Sequence, residues 1–336
     1  MNPEKILVIQ TAFIGDLILS TGFIRELKKG FPQAQIDLVT TPLSAGLFDF
    51  NPHLGKVYSY NKKGINGIFN HIKLVRQLKK TGYEVGFSLH LSTRSSLIMK
   101  QAGIPVRIGH PRMSYLTHPI AVEKGLHMKD RYIGILKPFV DFDPDSKTEL
   151  HWDELHERKI SKFINQDTDF KLGIAPGSFR PTKRWPRKYF IELMKKLKNE
   201  MKIFLIGGPK EQKLCEEIIT KSGAKAENLA GKLTLLESAV LVNKLDLLLT
   251  NDSAPLHMAN AVNTPVIAIL GPTVTRFGCY PYRPKDQIIE VELNCRPCGK
   301  HGGLICPNFH FRCMRDITPQ KVYDKIDEFF KENRDN

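Results

Sequence analysis

The chain has 336 residues, of which 41% are hydrophobic and 25% charged. That balance belongs to a globular protein and excludes a disordered or fibrous one, and the length points to two domains rather than one core. The net charge of +15 is spread over both halves, which favours anionic partners such as phosphorylated small molecules, an anionic membrane surface or nucleic acid. No zinc finger, RNP signature or basic arm is present, so nucleic acid is not expected as a partner. No run of roughly eighteen apolar residues occurs, which excludes a transmembrane helix. The opening MNPEKILVIQTAFIGD also lacks the apolar core of a signal peptide, so a cytoplasmic location is expected.

The first apolar run, residues 5–9, reads as a buried strand and passes into IQTAFIGDLILST. Gly15 permits a turn and Asp16 is expected to open a helix, either as its cap or as a carboxylate that takes a proton from a substrate hydroxyl. A helix N-terminus favours the carboxylate and so weakens it as a base; desolvation would offset this. No G-x-G-x-x-G occurs here, which argues against a dinucleotide enzyme. Further strands are expected at 36–40, 57–60 and 85–90, with a helix at 68–80. Residues 141–169 are rich in charge and are read as the way out of the first domain, with domains at 1–168 and 169–336.

The second half repeats the pattern. Strands are expected at 172–175, 203–206, 247–250 and 266–270, and helices at 187–198, 211–221 and 235–244. Two α/β domains with parallel, doubly wound sheets follow, each binding its ligand where strands end and helices begin. At such a junction lies GIAPGSFRPTKRWPRKY. Ser178 and Thr182 bring hydroxyls, and Lys183 and Arg184 bring charge, in front of a helix start that Pro186 suits. Phosphate oxygens need those donors. Gly207 in IGGPKEQ lets the backbone approach a ligand or a neighbouring element. The stretch LLLTNDSAPLHMAN ends a strand in Asp252, Ser253, Ala254 and His257. One polar residue there would be a cap, but three suggest more. Asp252 can accept from sugar hydroxyls, amides at 253–256 can meet a diphosphate, and His257 can add a donor.

Four cysteines, Cys295, Cys298, Cys306 and Cys313, follow the spacing C-x2-C-x7-C-x6-C. This is compatible with a structural zinc site, or with small buried residues in a loop, and a cytoplasmic location argues against disulfides. The last segment, 319–331, reads as an amphipathic helix with Val322, Ile326 and Phe330 on one face.

Taken together, KILVIQTAFIGDLILST, GIAPGSFRPTKRWPRKYF, LIGGPKE, NDSAPLHMANAVNTPVIAILGPT and CRPCGKHGGLICPNFHFRCMRDITPQKV resemble glycosyltransferase family 9, the ADP-heptose:lipopolysaccharide heptosyltransferases, in particular those that add the second inner-core heptose. The resemblance spans residues 5–325. It implies a GT-B fold of two Rossmann-like domains facing a cleft, with the last helix often crossing back to the first domain. It further implies inverting transfer of heptose from ADP-heptose, bound by the second domain, to an anionic lipopolysaccharide core acceptor bound by the first. Asp16 would be the general base. Lys183, helped by Thr182 and Arg184, would hold the diphosphate, Asp252 would hold heptose hydroxyls, and Ser253, Ala254 and His257 would line the diphosphate site. Ala254 stands where the family usually has glycine. Arg94 and Arg107 are candidates to meet the acceptor. No cofactor is required by this reading, and the enzyme would sit peripherally on the cytoplasmic face of the inner membrane. The alternatives are a GT-B transferase using another nucleotide sugar, or a non-enzymatic basic protein binding lipid or nucleic acid.

Overall fold

The computed structural model describes residues 2–62, 66–164 and 170–334. The chain divides into two compact units, Met1–Asp153 and Glu154–Asn336. The boundary expected at residue 168 lies outside the described residues, and the charged stretch before it is shared between the units. Arg25 Nη1 donates to Glu149 Oε2 at 2.7 Å and Glu149 N donates to Thr21 Oγ1 at 2.9 Å, which fastens this part to the first unit. Beyond Asp153, Lys159 pairs with Glu237 at 2.5 Å and Lys244 with Glu157 at 2.7 Å, which fastens the continuation to the second.

The first unit runs β1 (Lys5–Ile9), α1 (Ile14–Leu19), α2 (Thr21–Gly30), β2 (Gln35–Thr40), β3 (Val57–Ser59), α3 (Gly67–Thr81), β4 (Val85–Ser88), α4 (Thr93–Gln101), β5 (Val106–Gly109), β6 (His118–Pro119) and α5 (Met128–Leu136). Its sheet is ordered β3-β2-β1-β4-β5-β6 and every pairing is parallel. Ile6 sits between Ile36 and Val85 in register. Residues 6–9 are fully buried, which is why this strand is a continuous apolar run rather than an alternating one.

The second unit runs α6 (Glu154–Ser161), β7 (Phe170–Ala175), α7 (Arg187–Lys196), β8 (Met201–Leu205), α8 (Gln212–Ser222), β9 (Ala226–Asn228), α9 (Leu235–Asn243), β10 (Leu247–Asn251), α10 (Ala254–Ala261), β11 (Val266–Ile269), β12 (Gln287–Ile289), α11 (Arg312–Arg315) and α12 (Pro319–Arg334). Its sheet, β12-β11-β10-β7-β8-β9, is again all parallel and repeats the strand order of the first. The expected α/β class with two doubly wound parallel sheets is therefore what forms. The short strands β5, β6, β9 and β12 were not anticipated, because strands of two to four residues at or next to a sheet edge leave too brief an apolar run to read.

In this topology the chain reverses direction across the sheet beside the first strand of each unit: between β1 and β4, and between β7 and β10. Loops leaving adjacent strands diverge there and open a crevice at the carboxyl edge. The crevices are framed by the loops after β1 and β4 in the first unit, and after β7 and β10 in the second.

Helix α12 buries Val322, Ile326 and Phe330, the predicted face, together with Phe329. Phe330 meets Phe170 edge-on at 5.3 Å between centroids, and Lys198 pairs with Asp327 at 2.6 Å. The packing seen for α12 is thus with its own unit, where it joins the core of Leu172, Trp185, Phe190 and Leu193. Trp185 is anchored in that core by donating Nε1–H to the Ile317 carbonyl at 2.8 Å.

Candidate active site

In the first unit, α1 begins at Ile14, two residues earlier than expected, with Phe13 as its cap and no side-chain capping bond. Asp16 is therefore not the cap. It lies in the first turn, where the aligned peptide dipoles stabilise its anion. Tyr132, reaching over from α5, directs its hydroxyl at Asp16 Oδ1 at 3.5 Å and accepts from Gln10 Nε2 at 3.0 Å. Gln10 is fully buried at the end of β1, so this chain of donors fixes the carboxylate from the sheet outward. Across the crevice, His90 Nδ1 lies 3.0 Å from Thr11 Oγ1, and Lys62 Nζ donates to the Thr11 carbonyl at 3.0 Å. Burial, and secondarily the Lys62 cation, push the His90 imidazole down to about 4, so it is neutral at physiological pH. None of Gln10, His90 and Tyr132 was anticipated. The one sequence signal was a polar residue closing an otherwise apolar strand.

Arg94 stands exposed at the start of α4, and its Nη1 donates to the Lys62 carbonyl at 3.3 Å, so it belongs to the same edge. Arg107 does not. Its Nη1 donates to the Ile104 carbonyl at 2.7 Å and its Nε to the Tyr115 carbonyl at 2.7 Å. Ile104 precedes β5, so the guanidinium folds back toward the amino end of the strand. Its donors are taken by backbone carbonyls, which makes it a loop fastener.

In the second unit, Lys183 and Asp252 meet. Lys183 Nζ lies 2.6 Å from Asp252 Oδ2, with only 14% and 8% of the two side chains exposed. The same oxygen accepts the Thr273 hydroxyl at 2.6 Å. Asn251 bolts the two loops together: its Oδ1 accepts the Trp185 N–H at 3.0 Å and its Nδ2 donates to the Pro176 carbonyl at 2.9 Å. Asn251 received no role from the sequence, although it opens the polar cluster at the strand end. Ser253 caps α10 by position only, without a side-chain capping bond. The expected row of free amides at 253–256 is shorter than it looked. Pro255 has no N–H, and Leu256 N bonds the Ser253 carbonyl at 3.1 Å, leaving the amides of Ser253 and Ala254. His257 is buried on the first turn of α10.

Other residues assigned to phosphate have different work here. Thr182 exchanges hydrogen bonds with Gly303, accepting its N–H at 2.8 Å and donating to its carbonyl at 2.9 Å, so its hydroxyl anchors a loop. Arg184 is exposed and donates from Nε to the carbonyl of buried Ser178 at 2.7 Å. Gly207 serves a neighbouring element: a Cβ there would stand 2.7 Å from Cβ of Glu211.

All six cysteines are free. Burial, with the neighbouring cysteines adding to it, pushes the Cys298 thiol up and the Cys313 thiol to about 11. The loop that carries them backs the site. Cys298 N donates to the Pro272 carbonyl at 3.0 Å, and the buried Arg296 guanidinium donates to the Thr273 carbonyl at 2.8 Å. Among the described residues, the one trio of potential metal ligands with all ligand atoms within 4.8 Å is His53, Glu149 and His151. There both imidazoles bond one carboxylate oxygen, at 3.0 and 2.9 Å.

The sequence model of glycosyltransferase family 9 (heptosyltransferase) matches residues 71–305. Lipopolysaccharide heptosyltransferase 2 of Escherichia coli (strain K12) is 30% identical, over 96% of this chain and 97% of that protein. The solved structure of E. coli ADP-heptose lipopolysaccharide heptosyltransferase II matches with a TM-score of 0.78 at 25% identity, covering 98% of this chain and 99% of that one. E. coli heptosyltransferase WaaC, solved with ADP-2-deoxy-2-fluoro heptose, shares the fold with a TM-score of 0.73 at 15% identity, covering 98% and 99%.

The depressed His90 value has a consequence for acid stability. The folded imidazole takes its proton near pH 4, whereas an unfolded one takes it near 6.5. As pH falls, the unfolded chain binds the proton first, so the contribution of His90 to stability is lost between those values. An NMR titration of the His90 ring should give a midpoint near 4; a midpoint near 6.5 would show a solvated imidazole with no such linkage.

Proposed function

The chain belongs to glycosyltransferase family 9, the heptosyltransferases, and on that premise we propose that it transfers heptose from ADP-heptose, with inversion, to a sugar hydroxyl of an anionic lipopolysaccharide inner core. Membership makes it an enzyme, which sets aside the non-enzymatic reading that its charge alone allowed. The observation that carries the donor assignment is the Lys183–Asp252 pair at the carboxyl edge of the second sheet.

The chemistry follows from these groups. A leaving ADP gains negative charge as its bond to the anomeric carbon breaks, and a preorganised cation with nearby amides stabilises that charge. Lys183 supplies the cation, and the Ser253 and Ala254 amides at the start of α10 supply donors. When a diphosphate takes Lys183, Asp252 is left as a carboxylate still held by Thr273, suited to accept from heptose hydroxyls. On the first unit, Asp16 receives the proton of the attacking hydroxyl, and Tyr132 and Gln10 hold its carboxylate in place. Arg94 is the basic side chain at that edge best placed for an anionic acceptor. In this reading the charge stabilisation comes from side chains and amides, so transfer needs no metal. Cys295, Cys298, Cys306 and Cys313 do not bring three sulfurs within 4.8 Å of one another, so the structural zinc that their spacing allowed is not assembled and forms no part of this reading.

No helix among the described residues is long and apolar enough to cross a membrane. With a glycolipid acceptor, we place the enzyme peripherally on the cytoplasmic face of the inner membrane.

The test is ADP release from ADP-heptose with core acceptors truncated after, or before, the first heptose. Release with the first acceptor only is expected; release from another nucleotide sugar instead would keep the donor site and replace the sugar. Lys183→Ala should lose most of its affinity for ADP-heptose by calorimetry, and unchanged affinity would remove its phosphate role. Asp16→Asn should bind donor normally yet turn over ~10²–10⁴-fold more slowly, the span a general base contributes. Near-normal turnover would return Asp16 to a structural role. Turnover should also persist after chelation and removal of bound metal.

A further inference from the structure

Helix α3 has two apolar faces, and only one of them is used by the fold. Leu74 and Leu78 are buried, and Val75 packs against the same core. His71 on that side reaches Gln101 at 2.6 Å. A surface helix normally turns polar residues outward. Here Ile68, Phe69 and Ile72 are 72, 71 and 42% exposed on the outward side of the first turns. Further along the same side stand Lys73, Arg76, Lys79 and Lys80, all exposed. The helix holds no acidic residue, and among the described residues none of these four cations forms an ion pair. Its outer surface is therefore an apolar end followed by a purely cationic stretch.

The position of α3 adds to this. It follows β3, so its first turn lies at the carboxyl edge of the parallel sheet, the edge that also carries Asp16 and Arg94. Three other loops at that edge expose large apolar side chains at their tips: Phe13 after β1, Leu43 after β2 and Leu91 after β4. Scattered single apolar residues on a surface need no explanation, but a set gathered on one edge beside a cationic helix face does.

We propose that α3 docks the first unit on an anionic lipid bilayer, with Ile68, Phe69 and Ile72 entering the headgroup–acyl boundary and Lys73, Arg76, Lys79 and Lys80 lying along anionic headgroups. This deepens, and rests on, the reading of the acceptor as a membrane-anchored glycolipid: an acceptor in the bilayer would then present its sugars at the edge that carries Asp16. Charge complementarity selects the occupant. A neutral apolar partner would not need four unpaired cations, and a nucleic acid would not need three exposed apolar side chains. Interfacial helices combine the two features in this way.

The experiment is flotation of the full chain with vesicles of phosphatidylcholine alone and of phosphatidylcholine with one third phosphatidylglycerol. The wild type should float with the anionic vesicles, less at high salt. The triple variant Ile68→Ser, Phe69→Ser, Ile72→Ser should lose at least about tenfold in partitioning, since it removes all three apolar side chains from the headgroup–acyl boundary. The variant Lys73→Gln, Arg76→Gln, Lys79→Gln, Lys80→Gln should lose the preference for anionic lipid. Thermal melts check that both variants fold. Failure of the wild type to float, or unchanged flotation of the apolar variant, overturns the proposal. So does a wild-type dimer that the apolar variant dissolves while flotation is unaffected, which would assign the face to a second copy. ADP release with a soluble core fragment separates this idea from the enzymatic one. The apolar variant should match the wild type there and fall behind only with vesicle-embedded acceptor. A wild type that floats but releases no ADP with any acceptor would leave the docking standing and sink the enzymatic reading.

Discussion

The proposed donor site is organised around one ion pair. Lys183 and Asp252 come from different loops of the second unit, and both are largely withdrawn from water at a separation of 2.6 Å. Two charges taken out of water cost several kcal/mol each, about as much as their attraction returns, so such a pair is weak evidence for stability. It is better understood as a charge held ready. On the proposed reading, the carboxylate keeps the ammonium positioned until a diphosphate, carrying more charge, takes it over. Asp252 does not become an orphan when that happens, because Thr273 remains as a donor and sugar hydroxyls can replace the lysine.

Holding the pair in place requires that several loops agree in position. Asn251 ties the end of β10 to the loop after β7 through the Trp185 amide and the Pro176 carbonyl. Trp185 is itself fixed in the core by the Ile317 carbonyl. Thr182 ties the same loop to Gly303, and Arg296 ties the cysteine-bearing segment to Thr273. The site is thus positioned by a ring of backbone-directed hydrogen bonds from side chains a few residues away from the chemistry. This is how a lysine on a loop can be placed with the precision that transition-state stabilisation demands.

The parts of the molecule that sequence made legible are those governed by local rules. Continuous apolar runs announced the buried parallel strands, and polar residues placed directly after them announced the crevices. The family's motifs then supplied the roles proposed for Asp16, Lys183 and Asp252. The parts that stayed hidden depend on distant partners. Nothing local distinguishes Thr182, spent on Gly303 more than a hundred residues away, from a threonine waiting for phosphate. Nothing in β5 says that Arg107 folds back onto carbonyls instead of reaching forward. Tyr132 and Gln10 meet only because the sheet order brings α5 over the end of β1. Pro255 is a different case, because its missing N–H was legible and shortens the row of amides without any need for coordinates.

The two edges differ in a way that fits two kinds of substrate. In the second unit the carboxyl edge is built of small turns, one buried ion pair and backbone amides, which suits a compact, highly charged, water-soluble donor. In the first unit the carboxylate of Asp16 is backed by a buried glutamine and a tyrosine, while the loop tips and the start of α3 expose apolar side chains. Exposing Ile68 and Phe69 brings no benefit to a fold that already buries Leu74 and Leu78 on the other side of the same helix. A surface of that kind has a use when the second substrate is itself amphiphilic, with sugars to be held by charge and a lipid anchor that stays in its bilayer. On this reading the apolar rim is part of acceptor recognition: it brings the enzyme to the plane in which the acceptor diffuses, and so turns a search in three dimensions into one in two.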